Sequence, residues 1–473
     1  MAERSYHIII IGGGAAGMTA TIAALQEYEK HKSGSGRGKV LLLESNDRVG
    51  KKILATGNGK CNFTNENIGM EHYHTDDQAV LKSVLTGFST EAALQFFEEL
   101  GMSAREKNGC FYPVTETAST VLDVLRLRLS ELGCEVLCGV RIEKTEKGKK
   151  GFFVCCRDRE QIYKIHTEKL ILATGSKAGG FLQDREEDPL RIPKLLGLRN
   201  TALYPALTKC ICREDHYYRQ LAGVRAQVKL RLFCTGNCPQ GRGEKSGADF
   251  RHGTGRRDAE HTERTGETLE LLGQEAGELQ LTKEGISGIA VFQLSGDIAQ
   301  KLAEGRRVIM EINFLPDFKE DALEEWIKDR LRILPGRSLE NFFLGVLHKK
   351  ILGVCLQAEG LRAGMKISSG DGAFRESAEK RAVISVVMRR AMHFITEVTA
   401  VSDMKQAQVC RGGLYLSQFN EKLECKTIPG LFACGEVLNV DGECGGYNLH
   451  FAWASGVTAG REAARRIADF RGN

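Results

Sequence analysis

The run "IIIIGGGAAGMTATIAAL", residues 8–25, constrains the fold of this chain more than any other stretch. It carries no charge over 18 residues and by length alone would nearly span a bilayer. Glycines interrupt it, so it reads as a four-isoleucine strand, a tight turn and an alanine-rich helix. Gly12, Gly14 and Gly17 have the G-x-G-x-x-G spacing directly after the strand. In that context Gly12 permits the turn, Gly14 lets backbone approach a pyrophosphate, and Gly17 lets helix and strand pack closely. Ala15 and Ala16 open the helix, whose N-terminus offers N–H groups and a positive dipole to phosphate. A second apolar run, "KVLLLE" (39–44), ends in Glu44, with Ser45 beside it, placed to hydrogen-bond a ribose hydroxyl. Glu44 lies 27 residues after Gly17, and the loop "HKSGSGRG" (31–38) accounts for the extra length. The pattern is a dinucleotide-binding βαβ unit, and its terminal acid suits the adenosine of either NAD or FAD.

At 473 residues the chain exceeds one simple core, which points to two or three domains. Its 42% apolar and 27% charged content is that of a soluble globular protein. A net charge of +5 is small for this size, so neither a nucleic-acid partner nor a membrane is expected. The 15 cysteines are odd in number and irregular in spacing. Met1 to His7 leads straight into a strand, so no signal peptide is expected, and reduced cytoplasmic thiols follow. Cys210-Ile-Cys212, Cys155-Cys156 and Cys234/Cys238 do not make a paired CxxC pattern, so no metal is expected.

Two later segments return to nucleotide-site features. "EKLILATGSKAGG" (168–180) is a buried strand meeting a turn at Ala173, Thr174 and Gly175. "IPGLFACGEVLNVDGECGGYNLHFAWASGVTAGREAARRIADF" (428–470) holds a strand, a Cys-Gly-Glu turn, a Gly-Gly-Tyr-Asn loop and a long helix. Between them, alternating sequence around 200–235 and 279–315 predicts antiparallel strands, and 317 to about 395 has helical periodicity. The polar, glycine-rich stretch 234–275 has little to bury and reads as a mobile excursion. The expected plan is α/β: a Rossmann-like FAD-binding domain of the glutathione-reductase type, with an inserted antiparallel β domain and a small helical domain. Its boundaries are 1–195 and 396–473 for the FAD domain, 196–315 for the β domain and 316–395 for the helical one.

The runs "GGGAAGMTA", "GKKILATGNGKCNFTN" (50–65), "GCFYPVTETASTVLDVL" (109–125), "LILATGSKAGG", "GISGIAVFQLS" (285–295) and "CGEVLNVDGECGGYNLHFAWASGVTAG" occur in that order. Together they resemble the BaiN/YhiN-like flavoproteins, also known as the aminoacetone-oxidase family, over nearly the whole chain except 234–275. The resemblance implies non-covalent FAD. It lays the 50–62 loop along the cofactor, with Lys51 and Lys52 offsetting pyrophosphate or flavin charge. Gly57 and Gly59 would approach the ring, within a turn shaped by Thr56, Asn58 and Asn62. It assigns Gly435 and Glu436 to the pyrophosphate and ribitol, and the backbone of Val140 to the adenine. Gly445, Gly446, Tyr447, Asn448 and Leu449 would form the flavin-side loop, where a helix N-terminus can stabilise negative charge on the ring. The chain departs from the family pattern at Asn439, where Asp is more usual, and at His450, where Gln is expected. Cys61 has no second cysteine at disulfide-reductase spacing, so a redox dithiol is not expected.

The resemblance implies two reactions: NAD(P)H-dependent reduction of a conjugated C=C, as in a dehydro bile acid or similar steroid enone, or oxidation of a small amine such as aminoacetone by O₂. A flavin-binding module without turnover is the third possibility. No second G-x-G-x-x-G follows a strand, so NAD(P)H would visit the flavin face only transiently. Tyr447 and His450 are candidate proton donors because they neighbour the flavin loop. A small-molecule pocket is expected where residues 445–450 meet the inserted domains. The apolar residues of 340–360, Phe342, Phe343, Ile351, Leu352 and Val354 among them, are available either to line it or to form core. The sequence leaves the oligomeric state open.

Overall fold

The computed structural model describes residues 4–30, 38–158, 161–180, 188–236, 269–365 and 377–472. The chain forms two units, one of residues 1–206 with 403–473 and the other of residues 207–402.

In the first unit, strand β1 (Arg4–Ile11) is followed by helix α1 (Ala15–Lys30) and strand β2 (Val40–Glu44). β1 lies inside a parallel sheet, with β2 on one side and Gln161–Leu172 on the other. Glu135–Cys138 extends the sheet beyond β2, and Leu431–Ala433 pairs with the end of Gln161–Leu172. All five strands run parallel, so their carboxyl ends share one edge. Ile8, Ile9 and Ile10 are wholly buried, which is why this strand is a continuous apolar run rather than an alternating one. Gly151–Asp158 and Val140–Gly148 add an antiparallel extension to the first half of Gln161–Leu172.

The C-terminal helix Tyr447–Gly472 packs on α1 at backbone contact. A Cβ on Gly456 would come 2.6 Å from the Ala16 carbonyl oxygen, and one on Gly460 would come 2.2 Å from that of Ala20. Small residues four apart on both helices make this approach possible. Among the described residues no helix is long and apolar enough to cross a membrane.

The second unit is built on a closed barrel of Cys210–Cys212, Gly285–Ser287, Leu269–Leu281, Arg225–Thr235, Val308–Asn313 and Phe394–Val401, in that order around the ring. Neighbouring strands pair antiparallel. Val228, Leu230 and Leu232 alternate into its interior. The structure corrects the sequence here in three respects. Residues Ile289–Ala303, inside the stretch expected to be strands, form a helix that buries Ala290, Val291, Leu294 and Ile298 at helical spacing. The ends of the 234–275 excursion belong to the two long barrel strands, and its residues 237–268 lie outside the described residues. The helices after residue 320 do not make a separate domain. Phe342, Phe343, Ile351, Leu352 and Val354 sit in the same apolar cluster as Leu230, Leu232 and Met310 of the barrel. They are core, because together they fill one interior that neither set closes alone.

His393, just before the last barrel strand, lies 3.3 Å from Glu311 through Nδ1 and bonds Glu320 through Nε2. The hydrogen bond to Glu311 and then that to Glu320 outweigh partial burial, and they lift its pKa from 6.5 to about 9. A raised folded pKa means stability that is fully present below pH 6.5 and lost as pH rises through about 9. His393→Gln should therefore lower thermal stability near pH 6, by about 1 kcal/mol or less because the group is half-exposed. The difference from the parent should vanish above about pH 9 in a melting series.

Candidate functional site

The turns that follow the parallel strands gather at one edge. Gly12 N–H donates to Leu43 O at 2.8 Å, and Ala173 N–H donates to Ile11 O at 2.8 Å, so β1 and its turn are held from both sides. Gly12 has φ +108°, and a Cβ there would lie 2.1 Å from Ala173 O. Gly14 differs: a Cβ there would meet no atom within 4 Å, and the same is true of Gly175. The first intrahelical bond runs from Met18 N–H to Gly14 O, so the N–H groups of Ala15, Ala16 and Gly17 have no acceptor within the helix. Thr174 Oγ1 donates to Pro189 O at 2.8 Å and anchors the second turn.

Glu44 is buried and already oriented. Oε2 accepts the Gly13 N–H at 2.7 Å, and Oε1 accepts the backbone and side-chain N–H groups of Asn46, both at 2.8 Å. Ser45 Oγ is a longer donor at 3.4 Å. Each carboxylate oxygen has two lone pairs, so Oε2 retains one for a ribose hydroxyl. Asn46 escaped the sequence reading. It also accepts the Gly139 N–H at 2.8 Å through its carbonyl, which brings Val140 to the same end of the sheet. The Val140 side chain is core, so it has only backbone to offer a ligand.

The loop of the 50–62 run docks on the first turn through Gly50 N–H to Gly13 O, 2.8 Å. Lys51–Gly59 is a 3₁₀ segment broken at Thr56, Gly57 and Asn58, the last two in left-handed conformation and exposed with Gly59 half-buried beside them. Both lysines are already paired: Lys51 with Asp47 at 2.5 Å and Lys52 with Glu436 at 2.5 Å. Each lysine expected to offset pyrophosphate or flavin charge thus faces a carboxylate within the fold. Asn62 Oδ1 is buried with no hydrogen-bond partner, and a Cβ on Gly446 would lie 2.7 Å from it.

At the C-terminal motif, Cys434 N–H donates to Leu172 O at 2.9 Å and Gly435 N–H to Ser455 Oγ at 2.9 Å. A Cβ on Gly435 would lie 2.6 Å from Ala16 Cβ, so this turn abuts the start of α1. Glu436 uses Oε2 for Lys52 and Oε1 for the Cys410 N–H at 3.1 Å. The first intrahelical bond of the last helix, His450 N–H to Gly446 O at 2.9 Å, leaves the N–H groups of Tyr447, Asn448 and Leu449 without a helical acceptor. Asn448 uses its amide on Gly442, accepting that N–H at 2.9 Å and donating to the carbonyl at 2.6 Å, so its side chain shapes the loop. Leu449 packs on the core, and Asn65 Nδ2 donates to Gly445 O at 2.9 Å. Asn439 donates to Asp76 Oδ1 at 2.8 Å, which gives a reason for Asn over Asp: an acid would face an acid.

His450 is a correction. It is wholly buried, with Thr64 Oγ1 2.8 Å from Nδ1 and the Phe88 carbonyl 2.9 Å from Nε2. A carbonyl only accepts, so Nε2 carries the hydrogen and Nδ1 accepts from Thr64. Burial pulls its pKa down to about 4. With both nitrogens engaged, the ring braces the first turn of the last helix and has no proton to offer a substrate. Cys61 and Cys434 are buried thiols pushed up to about 12 by desolvation, which leaves neither nucleophilic. Tyr447 stacks on His72, their ring centroids 4.5 Å apart.

These groups fit an extended dinucleotide. Gly14 and Gly175 leave clear space, two helix N-termini offer N–H groups, Glu44 is set for a ribose, and Asn62 Oδ1 awaits a donor.

The model of the HI0933-like protein Rossmann domain matches residues 6–462. The chain is 31% identical over 458 residues to a 3-dehydro-bile acid delta(4,6)-reductase of Clostridium scindens, covering 97% of this chain and 98% of that protein. It is 24% identical over 469 residues to a ribosomal RNA dihydrouridine synthase of Haemophilus influenzae, covering 97% and 98%. Among solved structures, a 3-ketosteroid-delta4-(5alpha)-dehydrogenase from Rhodococcus jostii RHA1 aligns at 15% identity and a TM-score of 0.43, over 98% of this chain and 97% of that one.

Two outcomes are expected. The purified protein should be yellow, with one FAD per chain released on denaturation, whereas Gly14→Leu should be colourless yet fold with an unchanged circular-dichroism spectrum, since a Cβ there meets no protein atom within 4 Å. Because the folded His450 pKa is depressed, the stability from its neutral ring is present above pH 6.5 and lost as pH falls towards 4. Melting temperatures should drop over that window, by up to about 3 kcal/mol of stability, and less steeply in His450→Gln.

Proposed function

The chain belongs to the HI0933-like Rossmann family, and on that premise we propose that it is an FAD-dependent reductase of a C=C bond conjugated to a carbonyl. The observation that carries the cofactor is the meeting of three sequence-distant turns, those after β1, Gln161–Leu172 and Leu431–Ala433, at one sheet edge. The two relatives supply the reaction class. One is named for the 4,6 double bonds of a 3-dehydro-bile acid, the other for converting a uridine base to its dihydro form. Both names describe adding hydrogen across a ring double bond that is conjugated to a ring carbonyl. A small enone is favoured over RNA, because identity to the bile acid reductase is the higher and a net charge of +5 is modest.

When bound, FAD supplies the hydride chemistry. The protein's part follows from its own groups. The N–H groups of Ala15 to Gly17 would hold the diphosphate, and Glu44 the ribose hydroxyls. The N-terminus of the last helix would stabilise negative charge on the bound group. Asn62 Oδ1 accepts a hydrogen bond from the bound group. Neutral His450 fixes Thr64 and the helix start. Tyr447, a phenol raised to about 12 by burial and nearby Glu443, stays protonated at neutral pH and donates the proton that balances the hydride. NAD(P)H is the reductant of this reading, visiting without a second Rossmann site.

Anaerobic mixing tests it. NADH or NADPH should bleach the yellow protein, and a 3-oxo-4,6-diene steroid should restore the colour with loss of its own conjugated absorbance. Bleaching by aminoacetone alone would replace the reductase with an amine oxidase, and no bleaching by either would leave a flavin-binding module.

A further inference from the structure

Asn46 stands two residues beyond Glu44 at the end of β2 and is 8% exposed. Its N–H and its Nδ2 both donate to Glu44 Oε1 at 2.8 Å, and its backbone carbonyl accepts the Gly139 N–H at 2.8 Å. Glu44 is fixed in turn, because Oε2 accepts the Gly13 N–H at 2.7 Å. A carboxylate oxygen accepts, so the nitrogen of the Asn46 amide has to be the end that meets it. Turning the amide over would set one oxygen against another. Oδ1 is therefore the end left over, and it is buried with no hydrogen-bond partner.

The strand register gives this residue its surroundings. β2 pairs parallel with Glu135–Cys138, with Glu44 opposite Cys138. The chain then turns at Gly139, φ +71°, and enters Val140–Gly148. A Cβ on Gly139 would meet no atom within 4 Å, as at Gly14 and Gly175, so the carboxyl edge of the sheet is open here as well. Asn46 thus lies between the acid set for a ribose hydroxyl and the backbone of Val140. A buried amide oxygen without a donor is a cost that the fold carries until one arrives. An adenosine brings two kinds of donor, the ribose hydroxyls and the exocyclic amine of the base. Glu44 Oε2 keeps a lone pair for the first, which leaves the amine for Asn46.

We propose that Asn46 selects the base of the cofactor: its Oδ1 accepts a hydrogen bond from the exocyclic amine of adenine, so the site takes an adenine dinucleotide and rejects the 6-oxopurine form. This rests on FAD as the cofactor and is independent of what the bound flavin reduces. Hypoxanthine has a carbonyl where adenine has its amine, so Oδ1 would then face a second acceptor. Glu44 acts as the brace. By holding Nδ2 it decides which end of the amide is free, so the carboxylate that serves the ribose also sets the sense of the contact with the base.

The test is a binding cycle on the full-length protein, freed of its flavin and titrated with three dinucleotides while flavin fluorescence is followed. These are FAD, flavin hypoxanthine dinucleotide, and FAD lacking the 2′-hydroxyl of its adenosine. The parent should bind the hypoxanthine form about tenfold more weakly than FAD, the worth of one buried hydrogen bond. Asn46→Leu has a similar size but neither donor nor acceptor. It should weaken all three ligands, because Glu44 loses a partner, and should lose most of the ratio between FAD and the hypoxanthine form. Asn46→Ala makes the same comparison if the leucine variant fails to fold. Equal affinity of the parent for adenine and hypoxanthine forms overturns the proposal. So does a ratio that the Asn46 variants leave unchanged, which would give the base to the Val140 backbone and the Asn46 oxygen to water. A coupling of Asn46 with the 2′-hydroxyl in place of the amine would move the contact to the ribose and overturn it too. If the parent binds none of the three, FAD itself is the wrong cofactor and the inference falls with it.

Discussion

The site depends on one packing constraint, the backbone contact between α1 and the C-terminal helix. Ala16 and Ala20 face Gly456 and Gly460 at distances no larger side chain could share. That contact joins residues more than 400 positions apart in sequence and brings the Gly435 turn against the start of α1. With the helices farther apart, the N–H groups of α1 and those of the last helix could not address one ligand. The glycines of the C-terminal helix are unfavourable for an isolated helix. Their use here shows that tertiary packing outweighs local propensity at this point.

Charge in the site is balanced before any ligand arrives. Lys52 with Glu436 and Lys51 with Asp47 are formed pairs, and Glu44 is saturated on one oxygen and half-used on the other. The groups left to address a diphosphate are chiefly backbone N–H groups and helix dipoles, which the fold fixes in place. At the loop before the last helix, Tyr447 stacks on His72, which is itself paired with Glu443. The neutral, buried His450 performs a different task one turn further along the same helix. Two candidates that adjoin the same motif in sequence are thereby distinguished by their partners, since both nitrogens of His450 are engaged whereas Tyr447 stacks on His72.

The second unit shows the same competition between local and tertiary signals. Residues 289–303 carry β-branched and aromatic side chains that suit a strand, yet their buried positions recur at helical spacing and the barrel accepts them as a helix. The segment near 340–360 was ambiguous for the opposite reason: an apolar helix face is equally suited to a pocket wall or to a core. Only its partners, the inward residues of the barrel, distinguish the two.

By itself the sequence determined the strand–turn–helix start, the acid that ends β2, the return of the chain to the same domain at its C-terminus, and the family. Each is written in local spacing, because glycine turns and apolar periods act over a few residues. Tertiary structure alone decided which of those residues have anything left to offer. Lys51 and Lys52 are spent on carboxylates, Asn448 on its own loop and His450 on Thr64 and Phe88, while Asn46 and His72 enter with no signal of their own. The physical reason is that a hydrogen-bonding or charged side chain acts through the partner it finds. For this chain those partners come from elements tens to hundreds of residues away, whose approach is set by packing and not by any adjacent letter of the sequence.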